Sequence, residues 1–239
     1  MPLESQKEAS ETLAANGPVS LGDEQAVREI VASSVLRIWE VVNNLTRLRP
    51  TKREHYWVTI FGSARVAPEM PLYGEVRELA RLLATDGCGI VTGGGPGLMQ
   101  AANEGAALAG KTATLGVRVD LPFEQEVNPF VTQAFEHRTF FTRLHQFVLM
   151  SDAFIVVPGG IGTALELLMV WQLLQVRHLD NVPLVLVGSM WPPLIEWART
   201  TMVEGPTRLA SPDDMRIPIC VASMEEAAAI VREHHARKR

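Results

Sequence analysis

The chain has 239 residues, a formal net charge of −5 and a sequence pI near 5.7. This length supports one sizeable hydrophobic core, so we expect one domain with terminal additions. This negative net charge is not that of a typical nucleic-acid-binding protein, so we expect no nucleic-acid partner. No stretch is apolar over the roughly 18 residues that a membrane span needs, so we expect no membrane contact. Two cysteines in apolar stretches, Cys88 and Cys220, are typical of buried thiols in a reducing compartment, which favours a cytoplasmic protein.

The first fifty residues are predicted to lie outside the core. Residues 1–22 contain small polar and acidic residues but no apolar run after a basic start, which predicts a disordered leader rather than a signal peptide. From residue 23 to 48, apolar residues recur at helical spacing and predict an amphipathic N-terminal helix. A charged segment containing Pro50 then separates this helix from a single domain over residues 55–236.

Residues 55–236 alternate short β-rich runs with helical runs. Such alternation implies right-handed βαβ units and a parallel sheet, and the apolar runs at 154–157 and 183–187 are typical of strands covered on both faces. We therefore predict an α/β fold of Rossmann-like build, with a parallel sheet, helices on both faces and an extra N-terminal helix. The predicted strands cover residues 57–62, 89–92, 112–119, 131–135, 154–157, 182–187 and 218–221.

A first glycine cluster, VTGGGPGLM at residues 91–99, lies where a predicted strand ends and a helix begins. Unpaired N–H groups at such a helix start bind anions, and glycines let a phosphate or ribose come close. A tight turn without a ligand is the alternative. A dinucleotide site would need a third glycine where Leu98 stands, although Asp120 is suitably spaced, so a nicotinamide enzyme is disfavoured.

A stricter pattern match occurs at residues 105–112, where GAALAGKT fits the phosphate-loop pattern G-x-x-x-x-G-K-[ST] letter for letter. A phosphate loop must follow a strand and open a helix. Here the first residues continue a helix, and Gly110 has the position of its C′ cap. We interpret the match as accidental.

A second glycine cluster, FIVVPGGIGTALE at residues 154–166, combines an apolar strand, a turn and a helix start. The spacing of Thr163 and Glu166 is that of a capping box, in which Glu166 closes back on the Thr163 N–H, and the local pattern favours this structural role. The functional alternative follows from position. A carboxylate in the first turn of a helix whose N-terminus holds a phosphate can reach ribose hydroxyls or a water beside C1′.

The helix before this strand carries Arg138, Arg143 and His145 in an otherwise apolar run. Arg143 is a fixed cation that can bind a phosphate or a developing charge bidentately, with a surface ion pair as the alternative. The six histidines show no metal-ligand spacing, and the neighbours His234 and His235 are predicted to face solvent.

At these residues the chain resembles the Lonely Guy family of cytokinin riboside 5′-monophosphate phosphoribohydrolases, often labelled lysine decarboxylases. The family signature P-G-G-x-G-T-x-x-E matches residues 158–166 at every specified position. The family's G-G-G turn with G-L-M resembles residues 93–99, and its N-E-G/A helix resembles residues 103–106. Its first strand, ending in G-S, resembles residues 61–65, and the whole resemblance covers roughly residues 55–205.

One position departs from the family pattern. Many members carry an Arg-Lys pair nine and eight residues before the Asp that precedes the strand of the second cluster. Counting back from Asp152 gives Arg143 and Leu144, so the arginine is present and the lysine is replaced.

The resemblance implies a Rossmann-like nucleotide-binding domain that hydrolyses the N-glycosidic bond of a purine or cytokinin nucleoside 5′-monophosphate, such as AMP. The products are the free base and ribose 5-phosphate, and no metal or redox cofactor is required. Arg143 and Glu166 are the expected catalytic residues, with Glu166 binding ribose and positioning water and Arg143 completing the charge arrangement. The expected substrate-binding residues are Gly62, Ser63, Gly93, Gly94, Gly95, Gly97, Met99, Pro158, Gly159, Gly160, Gly162 and Thr163.

A non-catalytic protein of the same fold is the alternative, binding a nucleotide or the molybdenum cofactor as a sensor or carrier. The replaced lysine favours this alternative.

We also expect at least a homodimer, with a site completed by the neighbouring subunit. The predicted helix over residues 23–48 and the helix from Leu165 to Val176 have more apolar positions than one sheet surface covers. The resemblance implies the same, because family members are similar homodimers. The apolar positions in the later helix are Leu167, Leu168, Val170, Trp171, Leu173 and Leu174.

Overall fold

The computed structural model describes residues 22–45, 55–119 and 127–238. Residues 1–21 of the predicted leader, residues 46–48 of the predicted N-terminal helix and Asp120 lie outside the described residues. The chain divides into two compact units, residues 1–51 and residues 52–239.

The first unit contains helix α1 (Glu24–Leu45). The Asp23 carboxylate accepts a hydrogen bond from the Ala26 N–H at 3.1 Å, which satisfies one free donor of the first turn. Four of its large apolar side chains are exposed: Ile30, Val31, Val35 and Leu36.

The second unit contains a seven-stranded sheet within its described residues. The strands are β1 (Tyr56–Phe61), β2 (Cys88–Thr92), β3 (Thr114–Val119), β4 (Gln133–His137), β5 (Ala153–Val156), β6 (Leu184–Val187) and β7 (Pro218–Val221). Their order across the sheet is β4-β3-β2-β1-β5-β6-β7, and every neighbouring pair is parallel. The predicted α/β Rossmann-like fold is confirmed.

Among the described residues of this unit, six α-helices connect or follow these strands. They are α2 (Pro71–Thr85), α3 (Leu98–Ala109), α4 (Phe140–Met150), α5 (Ile161–Gln175), α6 (Pro192–Ala198) and α7 (Met224–Lys238). Pro71 and Pro192 open their helices, where a missing N–H costs no intrahelical bond. Helix α3 ends at Gly110, which adopts the left-handed conformation with φ of 64°.

Helices cover both faces of the sheet because side chains alternate along each strand. On one face, Val58 and Ile60 of β1 belong to a buried cluster that includes α2, α3 and α7. On the other, Phe61 belongs to a cluster that includes α4, α5 and α6. β1 is buried along almost its whole length, as expected of a central parallel strand.

The edge strand β7 corrects one prediction. Cys88 is buried in β2 as predicted, whereas Cys220 is exposed because β7 has a neighbour on one side only. None of the described helices combines the length and apolar character that crossing a bilayer requires.

The topology places a crevice at the carboxyl ends of β1 and β5. These strands are adjacent, yet the chain proceeds from β1 toward β2 and β3 on one side and from β5 toward β6 and β7 on the other. Connections that leave neighbouring strands in opposite directions open a crevice in which ligands of doubly wound folds bind.

Candidate active site

The end of β1 ties the two glycine-rich turns together. The Ser63 N–H donates to the Pro158 carbonyl at 3.2 Å, and the Ser63 carbonyl accepts from the Leu98 N–H at 2.8 Å. An added Cβ on Gly62 would lie 2.6 Å from Val157 Cγ2. Only glycine therefore fits at this junction without displacing its neighbours.

The turn over residues 93–97, called here the Gly93 turn, follows β2 and requires glycine for its backbone shape. Gly94 and Gly97 have φ values of 73° and 67°, in the left-handed region. A Cβ on Gly97 would also lie 2.5 Å from the Ser63 carbonyl oxygen, and one on Gly94 would lie 3.1 Å from Gly116 Cα.

The second turn, residues 158–160, opens α5. The first helical hydrogen bond runs from the Ala164 N–H to the Gly160 carbonyl at 3.0 Å. The N–H groups of Ile161, Gly162 and Thr163 therefore precede the helical ladder, where the positive end of the helix dipole favours an anion. A Cβ on Gly160 or Gly162 would meet nothing within 4 Å, so the fold itself leaves room there.

The capping-box interpretation of Thr163 and Glu166 is wrong. Gly160 is the N-cap of α5 and Ile161 its first residue, so Thr163 already lies inside the helix. Thr163 instead packs over Gly159, where an added Cβ would lie 2.2 Å from its hydroxyl oxygen. Glu166 is free of a capping role and is buried, with 8% of its surface exposed.

Arg143 and Glu166 meet in the structure. Helix α4 is capped by Thr139, whose hydroxyl accepts from the Thr142 N–H at 3.2 Å, and Arg143 follows in the first turn. Arg143 Nε donates to the Val117 carbonyl at 3.0 Å, and Arg143 Nη2 lies 3.4 Å from Glu166 Oε1. The exposed fractions of the two side chains are only 14% and 10%.

The guanidinium also borders the first glycine turn. An added Cβ on Gly93 would lie 2.6 Å from Arg143 Nη2 and 2.6 Å from Met99 Sδ. The charged pair thus lies between the Gly93 turn and α5, at the carboxyl edge of the sheet.

Burial makes the charge of Glu166 costly. It raises the pKa of Glu166 from 4.5 to about 7, and the positive charge of Arg143 opposes that rise. A carboxyl group with a pKa near neutrality can both accept and release a proton at physiological pH.

His137, the last residue of β4, lies outside the sequence motifs of the site. Its Nε2 is buried and has no hydrogen-bond partner among the residues that the structure describes. Burial, and then the nearby charge of Arg143, lower the pKa of this imidazole. No short-range pattern singles out this histidine, because its surroundings come from other elements.

The structure agrees with the accidental interpretation of the phosphate-loop match. The glycine and lysine of that match lie at the end of α3, not at the start of a helix. Gly105 has a packing role instead, since an added Cβ would lie 1.9 Å from the Arg77 carbonyl oxygen.

A separate cavity of about 710 Å³ lies between the start of α2 and the start of α7. Leu72, Leu79, Gly188 and Met224 are among its lining residues. Pro158 of the second turn also lines this cavity, but the buried ion pair and the Gly93 turn do not, so the arrangement of convergent charges favours the Arg143–Glu166 crevice as the candidate site.

Apolar side chains are exposed on α4 and α5 close to this crevice. Phe141 is 80% exposed and Ile161 89%, and Phe140, Leu165 and Leu168 are also exposed. A groove of about 390 Å³ beside Leu168 is lined by Trp197 and Leu209 among others.

The predicted apolar face of α5 needs correction within this surface. Leu167, Val170 and Trp171 are buried in the protein's own core because they face the sheet. Leu173 and Leu174 are half-buried against the same core. Leu168, together with Leu165 one turn earlier, remains available for a partner.

Residues 99–231 match the family described as "possible lysine decarboxylase". The fold is similar to that of the molybdenum cofactor carrier protein from Chlamydomonas reinhardtii, with 24% sequence identity and a TM-score of 0.58 over 77% of this chain and 99% of that one. It is also similar to the molybdenum cofactor binding protein from the phototrophic bacterium Rippkaea orientalis, with 20% identity and a TM-score of 0.58 over 76% of this chain and 98% of that one. A comparison with curated proteins gives no match.

Proposed function

This chain belongs to the Lonely Guy, or possible lysine decarboxylase, family, and we propose that it hydrolyses the N-glycosidic bond of a purine or cytokinin nucleoside 5′-monophosphate. The products are the free base and ribose 5-phosphate. The observation that carries the proposal is the buried Arg143–Glu166 pair, which lies between two glycine-rich turns at the topological switch point.

The phosphate is assigned to the start of α5. Three peptide N–H groups precede the helical ladder there, and Gly160 and Gly162 leave open space for the phosphate oxygens. The Gly93 turn, with Ser63 and Met99, forms the opposite wall of the crevice and receives the nucleoside.

Glu166 is assigned to the reacting carbon. Cleavage of an N-glycosidic bond passes through an oxocarbenium-like state, which a carboxylate stabilises. A water oxygen then bonds to C1′ as the bond to the base breaks. The base takes up a proton from solvent, and the proton that the attacking water gives to Glu166 is returned to solvent. Glu166, with its pKa near 7, orients this water and accepts its proton. Arg143 holds the carboxylate in place and balances its charge.

Lysine decarboxylation, the activity in the family's description, fits the described residues poorly. That chemistry on a pyridoxal cofactor needs a lysine for a Schiff base. Of the chain's four lysines, Lys7 and Lys52 lie outside the described residues. Lys111 is exposed after the end of α3, and Lys238 donates to Asp152 at 3.1 Å. Neither described lysine lies at the carboxyl edge.

Binding of the molybdenum cofactor without turnover is the second candidate. Two structures with this fold are named as a molybdenum cofactor carrier and a molybdenum cofactor binding protein. Leu144 in place of the family lysine supports this candidate, because it removes a cation that many members of the family carry.

Incubation with AMP and with a cytokinin riboside monophosphate separates the two candidates. We expect free base and ribose 5-phosphate in equal amounts by chromatography, and no base release by the Glu166→Gln variant. Tight binding of AMP without base release by the wild type would overturn the hydrolase and leave a binding protein.

We further propose that two copies associate through the exposed apolar surface of α4 and α5. Phe141, Ile161 and Leu165 lie beside the crevice, so a partner on this surface would complete the wall of the site. Sedimentation at micromolar concentration should show a species of at least twice 26.3 kDa. A fully active species at the monomer mass would contradict this proposal.

A further inference from the structure

Buried polar side chains hydrogen-bond to the Gly93 turn and to one another. The proposed reaction does not use these side chains. Asn103 of α3 is fully buried. Its Oδ1 accepts from Thr92 Oγ1 at 2.7 Å and from Asn128 Nδ2 at 2.9 Å. Its Nδ2 donates to Thr114 Oγ1. These four residues, named here the amide network, occupy both acceptor positions of the Asn103 Oδ1 and one of the two N–H donors of its Nδ2.

Asn128 connects this network to the turn through two further bonds. Its backbone N–H donates to the Gly94 carbonyl at 2.9 Å, and its Nδ2 donates to the Gly95 carbonyl at 3.0 Å. The orientation of the side-chain amide is fixed, because Oδ1 accepts from the Phe130 N–H at 3.2 Å. Asn128 is 5% exposed, so water does not compete effectively for these bonds.

The bonds determine which backbone groups of the turn can meet a ligand. The Gly94 N–H is taken by Thr92 Oγ1 at 2.9 Å, and the carbonyls of Gly94 and Gly95 are taken by Asn128. A turn whose carbonyls are held on the Asn128 side therefore keeps one backbone shape and receives the nucleoside without first reorganising.

We propose that Asn128 is a positioning residue for the nucleotide site, acting through the Gly94–Gly95 backbone rather than by touching the ligand. The nature of the ligand rests on the proposed function, whereas the effect of Asn128 on the turn does not. Asn103 supports the same turn one step further away, by holding the Asn128 amide and Thr92 together.

The test uses Asn128→Asp, Asn128→Ala and a matched control, Thr132→Val. The aspartate keeps the size of the side chain, the Phe130 acceptor and the backbone bond, but its carboxylate has no donor for Gly95 or Asn103. Thr132 lies four residues further on, and its hydroxyl makes two hydrogen bonds with the Thr114 backbone, at 2.7 and 3.1 Å, so the control removes two polar contacts of the same segment that do not reach the glycine turn.

Two measurements are made on each full-length variant. Amide hydrogen exchange of Gly94, Gly95 and Gly97 in the ligand-free protein reports the turn itself. Titration calorimetry with AMP and with ribose 5-phosphate reports the site.

We expect both Asn128 variants to exchange faster at these glycines and to bind AMP at least about tenfold more weakly, the effect of losing one or two hydrogen bonds. Thr132→Val should match the wild type in both measurements, even where its Tm falls. In a turnover assay the Asn128 variants should raise KM and keep kcat within about threefold, whereas loss of folded protein lowers kcat and leaves KM.

Unchanged exchange at the turn glycines in both Asn128 variants would overturn the positioning role. So would AMP affinities equal to that of Thr132→Val. If the wild type binds neither AMP nor ribose 5-phosphate, the proposed function fails, and the exchange comparison alone decides the role of Asn128.

Discussion

The two glycine-rich turns of the crevice contain glycine for different reasons. In the turn after β2, Gly94 and Gly97 have positive φ, and side chains there would collide with neighbouring backbone. At the start of α5, the fold requires Gly159 beneath Thr163, whereas Gly160 and Gly162 have open space around them and no positive φ. Gly94 and Gly97 are thus explained by the fold alone, and the open space at Gly160 and Gly162 is where we propose that the phosphate binds.

This difference separates glycines that the fold explains from glycines that leave space. A glycine with a steric or conformational reason needs no ligand to explain it, whereas Gly160 and Gly162 leave room beside the free N–H groups of the helix start. Glycine in a helix is also unfavourable by about 0.5–1 kcal/mol relative to alanine, so Gly162 inside α5 lowers stability without a structural return. The start of α5 is accordingly the better candidate for the phosphate.

The largest expected effect comes from the charged pair that lies between the two turns. Arg143→Ala and Glu166→Gln should each lower kcat at least about a hundredfold, the usual effect of removing a group that stabilises transition-state charge. Glu166→Gln should largely keep AMP affinity, because the amide occupies the space of the carboxylate, away from the phosphate. Arg143→Lys should recover little activity, since an ammonium cannot reproduce the guanidinium fork. Wild-type kcat in Glu166→Gln would show that the pair is structural.

The pH dependence of stability gives a second test of the same pair. The folded-state pKa of Glu166 is raised to about 7 from an ordinary 4.5, so the unfolded chain ionises first as pH rises. The protonated, buried form of Glu166 contributes up to about 3 kcal/mol to the free energy of unfolding. This contribution is complete below pH 4.5 and is lost as pH rises through 7. Urea denaturation of wild type and Glu166→Gln at pH 5 and pH 8 measures this. The free energy of unfolding of the variant, relative to that of the wild type, should be higher at pH 8 than at pH 5. The same difference at both pH values would contradict the burial of an ionisable carboxyl group at residue 166.

Exchanging a glycine in each turn sharpens the comparison directly. Gly97→Ala should destabilise the fold by about 1–3 kcal/mol, because it forces a left-handed residue against the Ser63 carbonyl. Gly162→Ala should instead stabilise it by about 0.5–1 kcal/mol through higher helix propensity, while weakening AMP binding. Thermal melting and calorimetry on the two variants check both signs. Equal destabilisation by both changes would remove the distinction between the turns.

The smallest effect is expected at Lys111. Lys111→Ala removes the lysine of the accidental phosphate-loop match, which follows the left-handed Gly110 at the end of α3. AMP affinity and Tm should stay at wild-type values. A loss of phosphate affinity would revive a site at this helix end.

The sequence was sufficient for the fold because its signals are local. Apolar β-rich runs alternate with helical runs, and all seven predicted strands overlap those observed. The glycine turns were recognisable for the same reason, as each follows a strand directly. Local patterns locate the start of a helix only to within a few residues. Helix α5 begins at Ile161, so Thr163 is not its N-cap, and Glu166 is a buried carboxylate rather than part of the predicted capping box.

Contacts between residues that are distant in the sequence could not be predicted from the sequence. His234 was predicted to face solvent but is buried, 4% exposed, with Nδ1 2.5 Å from the Tyr56 hydroxyl and Nε2 2.9 Å from the Asn181 carbonyl. Asn128 gives no pattern at all, because its partners at the Gly93 turn lie in another βα unit. In both cases the role of the residue depends on elements that only the folded sheet brings together.

The most direct test of the central claim, that the two turns form one nucleotide site around Arg143 and Glu166, is a crystal structure of Glu166→Gln with AMP. We expect the phosphate within hydrogen-bond distance of the Gly162 and Thr163 N–H groups. The ribose should then lie between residue 166 and the Gly93 turn. AMP bound instead in the separate cavity between α2 and α7, with the crevice vacant, would contradict it.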